Sequence, residues 1–259
     1  MKKWLIIIFI ILFLIVVTLF SYDYFSKKEV NTAIKKTNPA TTIKEERKED
    51  IMEGITLNYH SSIRIEKDNK VIYFDPYKIE DEKKDASYIF ITHSHYDHFS
   101  LDDIKKIMKD DTRFVVTSDI EEKVISIGIK KENLTVVYPN ETHILGDIKF
   151  DTIPAYNINS TYHKKSYNWV GYNVEIDNIK YYITGDTDAT DELKKIDCNV
   201  MFIPVGGTYT MTYDEAVQAV NEIKPQIAVP IHYGEVGKRS DAENFVSKLN
   251  GDIKGIILK

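Results

Sequence analysis

Three histidines and an aspartate lie within six residues of the chain, and this run limits the possible folds more than any other feature. It reads HSHYDH at residues 93–98 and directly follows an apolar segment at residues 88–91. Alternate side chains of an extended segment point to one side, so His93, His95 and Asp97 can face one cavity. Imidazole and carboxylate groups are suitable ligands for zinc and other first-row metals. The run therefore predicts a metal site at the end of a buried strand, in preference to an ordinary polar loop.

Two later segments offer further metal ligands, each just beyond a predicted strand. Asp186 lies in the sequence TGDTD after the strand predicted at residues 180–184, and Gly185 permits a sharp exit from that strand. His232 lies in PIHYG after the strand predicted at residues 227–229. A turn aspartate or a core histidine explains either residue on its own, whereas the three motifs together favour a single site.

The order of these motifs resembles that of the metallo-β-lactamase superfamily. HSHYDH resembles its H-x-H-x-D-H signature, TGDTD its G-D-T segment, and PIHYG the segment that holds its last histidine. The resemblance spans about residues 55–234. It implies an α/β fold, namely a four-layer αββα sandwich with two divalent metal ions at one edge. Zn²⁺ is the expected metal, with Mn²⁺ and Fe²⁺ as alternatives.

The resemblance also implies how the ligands divide between the two ions. His93 and His95 would bind the first metal, and Asp186 would bridge to the second. The second metal would have three further ligands, Asp97, His98 and His232. Asp97 would in addition be the catalytic residue that orients the attacking water.

One part of the family pattern is missing. The usual third histidine follows a strand between the first motif and the bridging aspartate, but the strand predicted at residues 148–153 ends in PAYN. His163 lies beyond the same end of this strand and is the candidate to complete the first site. His143 precedes the strand, so we expect it at the opposite end of the sheet, on the surface. Without His163 the first metal would have few protein ligands, and the site would be weakly loaded or mononuclear.

The start of the domain narrows the resemblance to one branch of the superfamily. The sequences YHSSIRI at residues 59–65 and FDP at residues 74–76 are similar to the opening of the branch that includes ascorbate-6-phosphate lactonase-like proteins. N-acyl-phosphatidylethanolamine phospholipase D belongs to related enzymes. The loop PVGGTYTM at residues 204–211 is also similar to a loop of that branch.

Several residues near these motifs are predicted to support the site without binding metal. Substrate contacts are predicted at His60, Thr208 and Tyr209. A proton relay is the alternative role of His60, and a carboxylate such as Asp75 is expected to hold ligand imidazoles in place. Lys164 and Lys165 can contact an anionic substrate, although a solvated surface role is ordinary in a lysine-rich chain.

Together these residues predict hydrolysis by a metal-bound hydroxide. A phosphodiester or phospholipid, or a lactone, is the expected substrate class by analogy with the branch. Cys198 has no partner motif and is interpreted as structural. The alternative function is a metal-binding extracellular sensor or interaction module without catalysis. The missing third histidine favours that alternative, and the complete H-x-H-x-D-H run disfavours it.

Short strand-like and helix-like segments alternate from residue 51 onward. Strands are predicted at residues 55–59, 63–66, 71–74, 88–91, 114–117, 135–138, 148–153, 169–176, 180–184, 200–203, 227–229 and 253–258. Helices are predicted at residues 101–108, 120–127, 191–195, 213–223 and 242–249. Ser100, Asp119, Thr212 and Asp241 are the predicted N-cap residues, and Glu215 stands at the capping-box distance from Thr212.

The N-terminal segment predicts a membrane location. Residues 4–20 form an apolar run without a charge, preceded by two lysines. This length favours an uncleaved anchor at residues 1–25 over a cleavable signal peptide or a buried helix. Residues 26–50 are a polar tether, and residues 51–259 are the hydrolase domain. We expect a single-pass protein of a bacterial cell membrane with its catalytic domain outside.

Charge separates the two ends of the chain and excludes one class of partner. Residues 1–50 hold nine basic and five acidic residues, a net charge of +4, whereas residues 51–259 hold 25 basic and 35 acidic residues, a net charge of −10. A nucleic-acid binder needs a basic surface to displace counterions. The acidic domain therefore argues against nucleic acid and leaves a small molecule or a lipid as the expected substrate, with the oligomeric state open.

Overall fold

The computed structural model describes residues 51–258, and the predictions for residues 1–50 fall outside this part of the chain. By its contacts the chain divides into two units, Met1–Met52 and Glu53–Lys259, and the second holds the fold described below. The anchor, the tether and the boundary at residue 51 stay predictions. Among the described residues, no helix combines the length and the apolar character needed to span a bilayer.

The first sheet has six strands that lie side by side in chain order. They are β1 (Ile55–Tyr59), β2 (Ser62–Lys67), β3 (Lys70–Phe74), β4 (Tyr88–Phe90), β5 (Arg113–Thr117) and β6 (Leu134–Val137). The first three strands are antiparallel, whereas β3 to β6 run parallel. Asp68 and Asn69 form the turn between β2 and β3 with positive φ, which is the backbone that a tight hairpin requires.

The second sheet has seven strands in the order β13-β12-β11-β10-β9-β8-β7. They are β7 (Thr142–Leu145), β8 (Ile148–Pro154), β9 (Val170–Ile176), β10 (Ile179–Ile183), β11 (Val200–Pro204), β12 (Ile227–Ile231) and β13 (Lys254–Gly255). Strands β7 to β10 are antiparallel, and β10 to β13 run parallel. Strand β8 thus runs in the same direction as β10 and β12, so the three strands end at one edge.

Four α-helices cover the outer faces of the two sheets in the described part of the chain. They are α1 (Leu101–Ile107), α2 (Glu121–Ser126), α3 (Tyr213–Ile223) and α4 (Arg239–Ser247). One apolar cluster joins α1 and α2 to the first sheet, with Ile104 and Val124 packed among strand residues such as Ile89. A second cluster joins α3 and α4 to the second sheet, with Phe245 packed among residues such as Met201.

Aromatic side chains fill the space between the sheets. Phe90 of the first sheet contacts Phe150 and Tyr172 of the second, with ring centroids 5.1 Å apart in both pairs. The buried hydroxyl of Tyr172 donates a hydrogen bond of 2.7 Å to the carbonyl of Ile91, just after β4. The layers therefore follow the order helix, sheet, sheet, helix, which is the α/β sandwich that the family resemblance implies.

The structure corrects several details of the predicted elements. Strand β7 was not predicted, and the strand predicted at residues 253–258 is reduced to Lys254–Gly255. The helix predicted at residues 191–195 is only the 3₁₀ turn Leu193–Lys195. Ser100 and Thr212 cap their helices as predicted.

Two of the predicted N-caps are wrong. Asp241 lies one turn inside α4 and accepts a hydrogen bond from the backbone N–H of Lys238, which is the N-cap residue. Asp119 instead accepts hydrogen bonds from Thr117 and from the indole of Trp169.

Candidate metal centre

The H-x-H-x-D-H run turns as soon as it leaves β4. The backbone N–H groups of His98 and Phe99 both donate to the carbonyl of His95, at 3.1 Å and 2.8 Å. The extended geometry that suggested a common direction for alternate residues therefore holds only for the start of the run. The turn brings His98 into the same cluster, although an extended chain would point it elsewhere.

Asp186 lies at the centre of the cluster. Its carboxylate oxygens are 3.2 Å from His98 Nε2, 3.3 Å from His163 Nε2, 3.1 Å from His232 Nε2 and 3.9 Å from His93 Nε2. These four histidines come from loops that follow strands of both sheets. One carboxylate thus joins the two halves of the sandwich at a single edge.

The donor atoms fall into overlapping groups that share Asp186. One group has a ligand atom from each of His93, His95, His163 and Asp186 within 4.8 Å of one another, and a second has His98, Asp186 and His232. The first group includes His163, the residue whose role depended on how its loop folds. The structure thus places His163 where the missing third histidine of the family pattern would be needed.

Asp97 and His60 form a third group with His232. Asp97 Oδ2 lies 3.5 Å from His60 Nε2, 3.7 Å from His98 Nε2 and 3.8 Å from His232 Nε2. The His60 side chain is fully buried beneath the cleft, and its ring centroid is 4.0 Å from that of His232. This position suits a partner of Asp97, and the predicted substrate contact of His60 stays a prediction.

Asp75 holds the first-sheet side of the site in place. One of its oxygens accepts a hydrogen bond of 2.7 Å from the Thr92 backbone N–H, and the other accepts from the Thr92 hydroxyl and from His98 Nδ1. With Nδ1 of His98 engaged in this way, Nε2 is left to face Asp186. Such a carboxylate–imidazole contact selects the tautomer that can bind a metal. Asp75 therefore has the loop-fixing role that its position suggested.

Asn157 orients His163 as Asp75 orients His98, and it was not among the predicted site residues. Its side-chain oxygen lies 2.8 Å from His163 Nδ1, while its NH₂ group donates to the Asp188 carboxylate and to the Tyr209 carbonyl, both at 2.9 Å. Asn157 is the last residue of the PAYN sequence at which a histidine was sought. This residue therefore orients a candidate ligand and is not itself one.

Trp169 is a second residue that sequence reasoning did not single out. Its ring centroid lies 4.8 Å from those of His93 and His95 and 5.5 Å from that of His163. The indole N–H donates to Asp119, which fixes the orientation of the ring. Trp169 thus packs against one side of the first ligand group.

Three residues of the site have a strained backbone. His60, Asp75 and His232 have φ of 54°, 46° and 56°, in the left-handed region that residues with a β-carbon seldom adopt. The backbone N–H of His232 donates to the His60 carbonyl at 3.0 Å, which ties the two loops together. Unfavourable backbone of this kind persists where the surrounding structure holds it and is frequent at functional sites.

Burial and neighbouring charges shift the pKa values of the clustered groups in different directions. Burial lowers the pKa of His93 well below its ordinary value, and the nearby His98 adds to this effect. Burial also opposes protonation of His98, but Asp186 and Asp75 outweigh it and hold the pKa of His98 well above its ordinary value. Burial alone would raise the pKa of Asp97, yet the contact with His60 and the charge at His98 lower it to about 2. Asp97 is therefore ionised at neutral pH.

A cleft of about 260 Å³ opens above these side chains. It is lined by His95, Tyr96, Asp97, Tyr162, His163, Asp186, Tyr209, His232 and Val236. Of the predicted substrate contacts, Tyr209 lines this cleft, and Thr208 is exposed beside it. The loop that carries both passes so close to His232 that a β-carbon on Gly206 would lie 2.3 Å from the His232 carbonyl oxygen. Only glycine fits there.

Two other predicted residues lie away from the cluster. His143 is part of β7, contacts Glu141 at 2.9 Å and stacks on Phe150, so it is not among the candidate ligands. Cys198 is buried in the apolar cluster below α3, where burial raises the pKa of its thiol to about 12. Both outcomes agree with the surface and structural roles expected for them.

The cluster has the chemistry of a metal site. His98 Nε2, His163 Nε2 and Asp186 Oδ1 are buried and make no hydrogen bond of acceptable geometry to any residue in the described range. Buried polar atoms that lack a partner are costly, and nitrogen and carboxylate oxygen donors directed at a common point satisfy a divalent cation. The residues present therefore fit the metal ions that the fold implies.

Comparisons with known proteins agree with this geometry. Residues 54–232 match the family model described as "Beta-lactamase superfamily domain". A UPF0173 metal-dependent hydrolase of Staphylococcus aureus is 28% identical over 220 residues, which cover 76% of this chain and 95% of that protein.

Solved structures share the fold. A protein of Parabacteroides distasonis described as a metal-dependent hydrolase superposes with a TM-score of 0.66 at 27% identity, covering 79% of this chain and 91% of that one. The metallo hydrolase Igni18 of Ignicoccus hospitalis shares the fold with a TM-score of 0.66 at 22% identity, covering 79% and 94%. The narrower branch resemblance stays a prediction. Since the family model covers most of the domain, the chain belongs to the β-lactamase superfamily, as one of its metal-dependent hydrolases.

Proposed function

We propose that this protein hydrolyses an ester-type bond with two divalent metal ions, Zn²⁺ being the expected metal, held on either side of Asp186. The observation that carries the proposal is the position of the Asp186 carboxylate, which lies within 3.9 Å of ring nitrogens from four histidines. His93, His95 and His163 would hold one ion with Asp186, and His98 and His232, with Asp97 as a further ligand, the other. When bound, the ions polarise the scissile group and make water nucleophilic near neutral pH.

The protein supplies orientation and a proton acceptor. Asp97 is largely buried, lines the cleft and is kept ionised by its histidine neighbours, so it can accept a hydrogen bond from the attacking water. His60 lies 3.5 Å from Asp97 and limits the directions its carboxylate can take. We assign Asp97 the catalytic role and His60 a positioning role. Phosphodiesters, phospholipids and lactones remain the substrate classes to compare.

The experiment combines metal analysis with turnover. Purified protein should bind about two equivalents of Zn²⁺ and hydrolyse at least one responsive phosphodiester, carboxylic ester or lactone, with activity lost on chelation and restored by Zn²⁺. Asp97→Asn should lower kcat by about 10²–10⁴-fold, the usual contribution of a positioned acid or base, and still bind metal. Full metal content without turnover of any of these substrates would instead support a non-catalytic metal-binding module.

We also propose that residues 4–20 anchor the domain to a membrane, with the domain outside the cell. Their apolar character and the two preceding lysines support this location. The full chain should remain with membranes after an alkaline wash, whereas a chain that begins at residue 51 should not. Recovery of the full chain in the wash would contradict the anchor.

A further inference from the structure

We infer, on the basis of the proposed hydrolysis, that the mouth of the cleft selects an uncharged substrate with a flat apolar ring. An aryl-fused lactone or an aryl carboxylic ester has this chemistry. The inference rests on a rim of three tyrosines, Tyr96, Tyr162 and Tyr209, and on the charges around it. It favours lactones and carboxylic esters over phosphodiesters as substrates.

The tyrosine rim is an exposed aromatic surface directly above the ligands. Tyr96, Tyr162 and Tyr209 are 65%, 56% and 44% exposed, although all three line the cleft. The rings of Tyr162 and Tyr209 meet edge to face with centroids 4.4 Å apart. Large aromatic side chains that stay exposed at a cavity gain free energy when an apolar or aromatic ligand group covers them.

The backbone of Tyr209 is strained, and a hydrogen bond keeps it in this conformation. Its φ is 68°, which is a rare conformation for a bulky residue, and its carbonyl accepts the hydrogen bond from Asn157. Tyr162 immediately precedes the ligand His163 in the chain, so its place is also tied to the metal centre. The rim is therefore present before a ligand arrives, which reduces the entropic cost of binding.

Charge at the cleft disfavours an anionic substrate. No lysine or arginine is among the described residues that line it. Lys165, which was a candidate for an anionic contact, pairs with Glu192 at 2.6 Å, and Lys78 pairs with Glu235 at 2.9 Å. The surrounding domain carries a net charge of −10 from 25 basic and 35 acidic residues. Among the described residues that line the cleft, a phosphodiester would meet no cationic side chain, and an uncharged ester needs none.

The reaction balances without another reactant. The water oxygen bonds to the acyl carbon, the ring C–O bond of the lactone breaks, and a water proton passes to the departing oxygen. The product is a hydroxy acid, and nothing is oxidised or reduced. The aromatic ring of the substrate would rest on the rim while its carbonyl lies over Asp186.

The test compares dihydrocoumarin, δ-valerolactone and bis(p-nitrophenyl) phosphate as substrates of the Zn²⁺-loaded full chain. Tyr162→Ala and Tyr209→Leu should each lower kcat/KM for dihydrocoumarin about tenfold, chiefly through KM, and lower that for δ-valerolactone clearly less. An unchanged circular dichroism spectrum and an unchanged Zn²⁺ content show that each variant is folded and loaded. Tyr138→Ala is the matched control, because this tyrosine is 47% exposed and lies outside the cleft lining.

The outcomes separate the two proposals. Equal losses for both lactones, no loss for either, or a kcat/KM for the phosphodiester above that for dihydrocoumarin would overturn the tyrosine-rim inference alone. If neither these three substrates nor any other phosphodiester, phospholipid, carboxylic ester or lactone of the wider comparison is hydrolysed in a metal-dependent manner, the proposed function fails. In that case the binding of coumarin, measured by saturation-transfer NMR, tests the tyrosine rim without any turnover. Binding lost in Tyr162→Ala or Tyr209→Leu supports the inference, and binding unchanged in both variants overturns it.

Discussion

The side chain of Asn157 connects the candidate ligand His163 to the backbone of Tyr209, which lines the cleft. Its oxygen contacts His163 Nδ1, and its NH₂ group donates to the Tyr209 carbonyl and to Asp188. All of these contacts are shorter than 3 Å, and the residue is buried. The Asn157 oxygen accepts from the Nδ1–H of His163, because the Asn157 NH₂ group donates elsewhere. Only the tautomer with Nδ1 protonated has an Nε2 lone pair free for a metal, so Asn157 favours the form that binds metal.

Substitution of Asn157 should therefore weaken metal binding. We expect Asn157→Ala to reduce Zn²⁺ affinity about 10–100-fold, the usual effect of removing a residue that orients a metal ligand. Competition with a chromophoric chelator measures this affinity without reference to turnover. Asn173→Ala is the control, because Asn173 is a buried asparagine of β9 that bonds to the Asp197 carbonyl. Equal affinities in the two variants would contradict the role of Asn157.

The fluorescence of Trp169 should report metal binding. The chain has two tryptophans, so Trp4→Phe leaves Trp169 as the single one. Its ring lies 4.8 Å from the rings of His93 and His95, so a paramagnetic ion such as Co²⁺ bound there should quench its emission. Quenching should saturate with metal content and reverse on chelation. His93→Ala should abolish it, and quenching that persists in this variant would show that the ion binds elsewhere.

Among the elements, α1 connects the first ligand loop to the strand β3. Asp103 in its first turn accepts hydrogen bonds from the backbone N–H groups of Lys78 and Ile79, at 2.9 Å and 3.0 Å. Lys106 contacts the same carboxylate at 2.9 Å. Burial by itself would raise the pKa of Asp103, but the bonds to Lys106 and Ser100 outweigh it and lower the pKa below the ordinary value. The helix therefore ties together the segments after β3 and after β4.

This depressed pKa sets the sign of a pH effect on stability. Stabilisation by ionised Asp103 is complete above the pKa of the unfolded chain and is lost as the pH falls through the lower pKa of the folded state. Asp103→Asn should reduce the free energy of unfolding by about 2 kcal/mol at pH 7, with the difference from wild type shrinking below about pH 4. Urea unfolding measures both. Asp102→Asn, at an exposed site in the same turn, should change little. A difference that is constant with pH would contradict the assignment.

At the scale of the molecule, the candidate metal centre lies where the edges of the two sheets meet. The sheets are connected there by two backbone hydrogen bonds, from Val170 to the Thr92 carbonyl and from His232 to the His60 carbonyl. Donors from both sheets surround Asp186, so a bound ion would join the two halves of the sandwich. An ion that binds only the folded state stabilises it according to its concentration and affinity.

Metal removal should therefore lower the stability of the whole domain. At an ion concentration of 100 Kd the gain is about 2.7 kcal/mol, which chelation should abolish and excess Zn²⁺ restore. The transition temperature followed by circular dichroism measures the change. Asp186→Asn should lose most of this dependence on metal, because it removes a charge shared by both ligand groups. A chelator-independent transition in the wild-type chain would contradict a metal that joins the sheets.

Most of the elements were predictable because their signals are local. The capping box of Thr212 and Glu215 and the apolar strand before His93 depend on neighbours within a few residues, and the structure confirms both. Strand β7 was not predicted because its Thr142–Leu145 sequence is only four residues long and half polar, so its pairing with β8 decides its conformation. Asp241 lies one turn further into the helix than predicted, because a carboxylate at the third helical position accepts a hydrogen bond from the backbone of the N-cap residue and so also favours a helix start.

The sequence by itself determined the class of fold and the kinds of donor, because H-x-H-x-D-H, Asp186 and His232 each follow a strand that its own apolar residues define. Only the tertiary structure decided that His163 joins the first group, that His60 lies beneath Asp97 and that Asn157 holds His163. These contacts join loops that lie far apart along the chain or fold back on themselves. Their geometry depends on how two sheets pack against each other, which no local pattern of residues specifies.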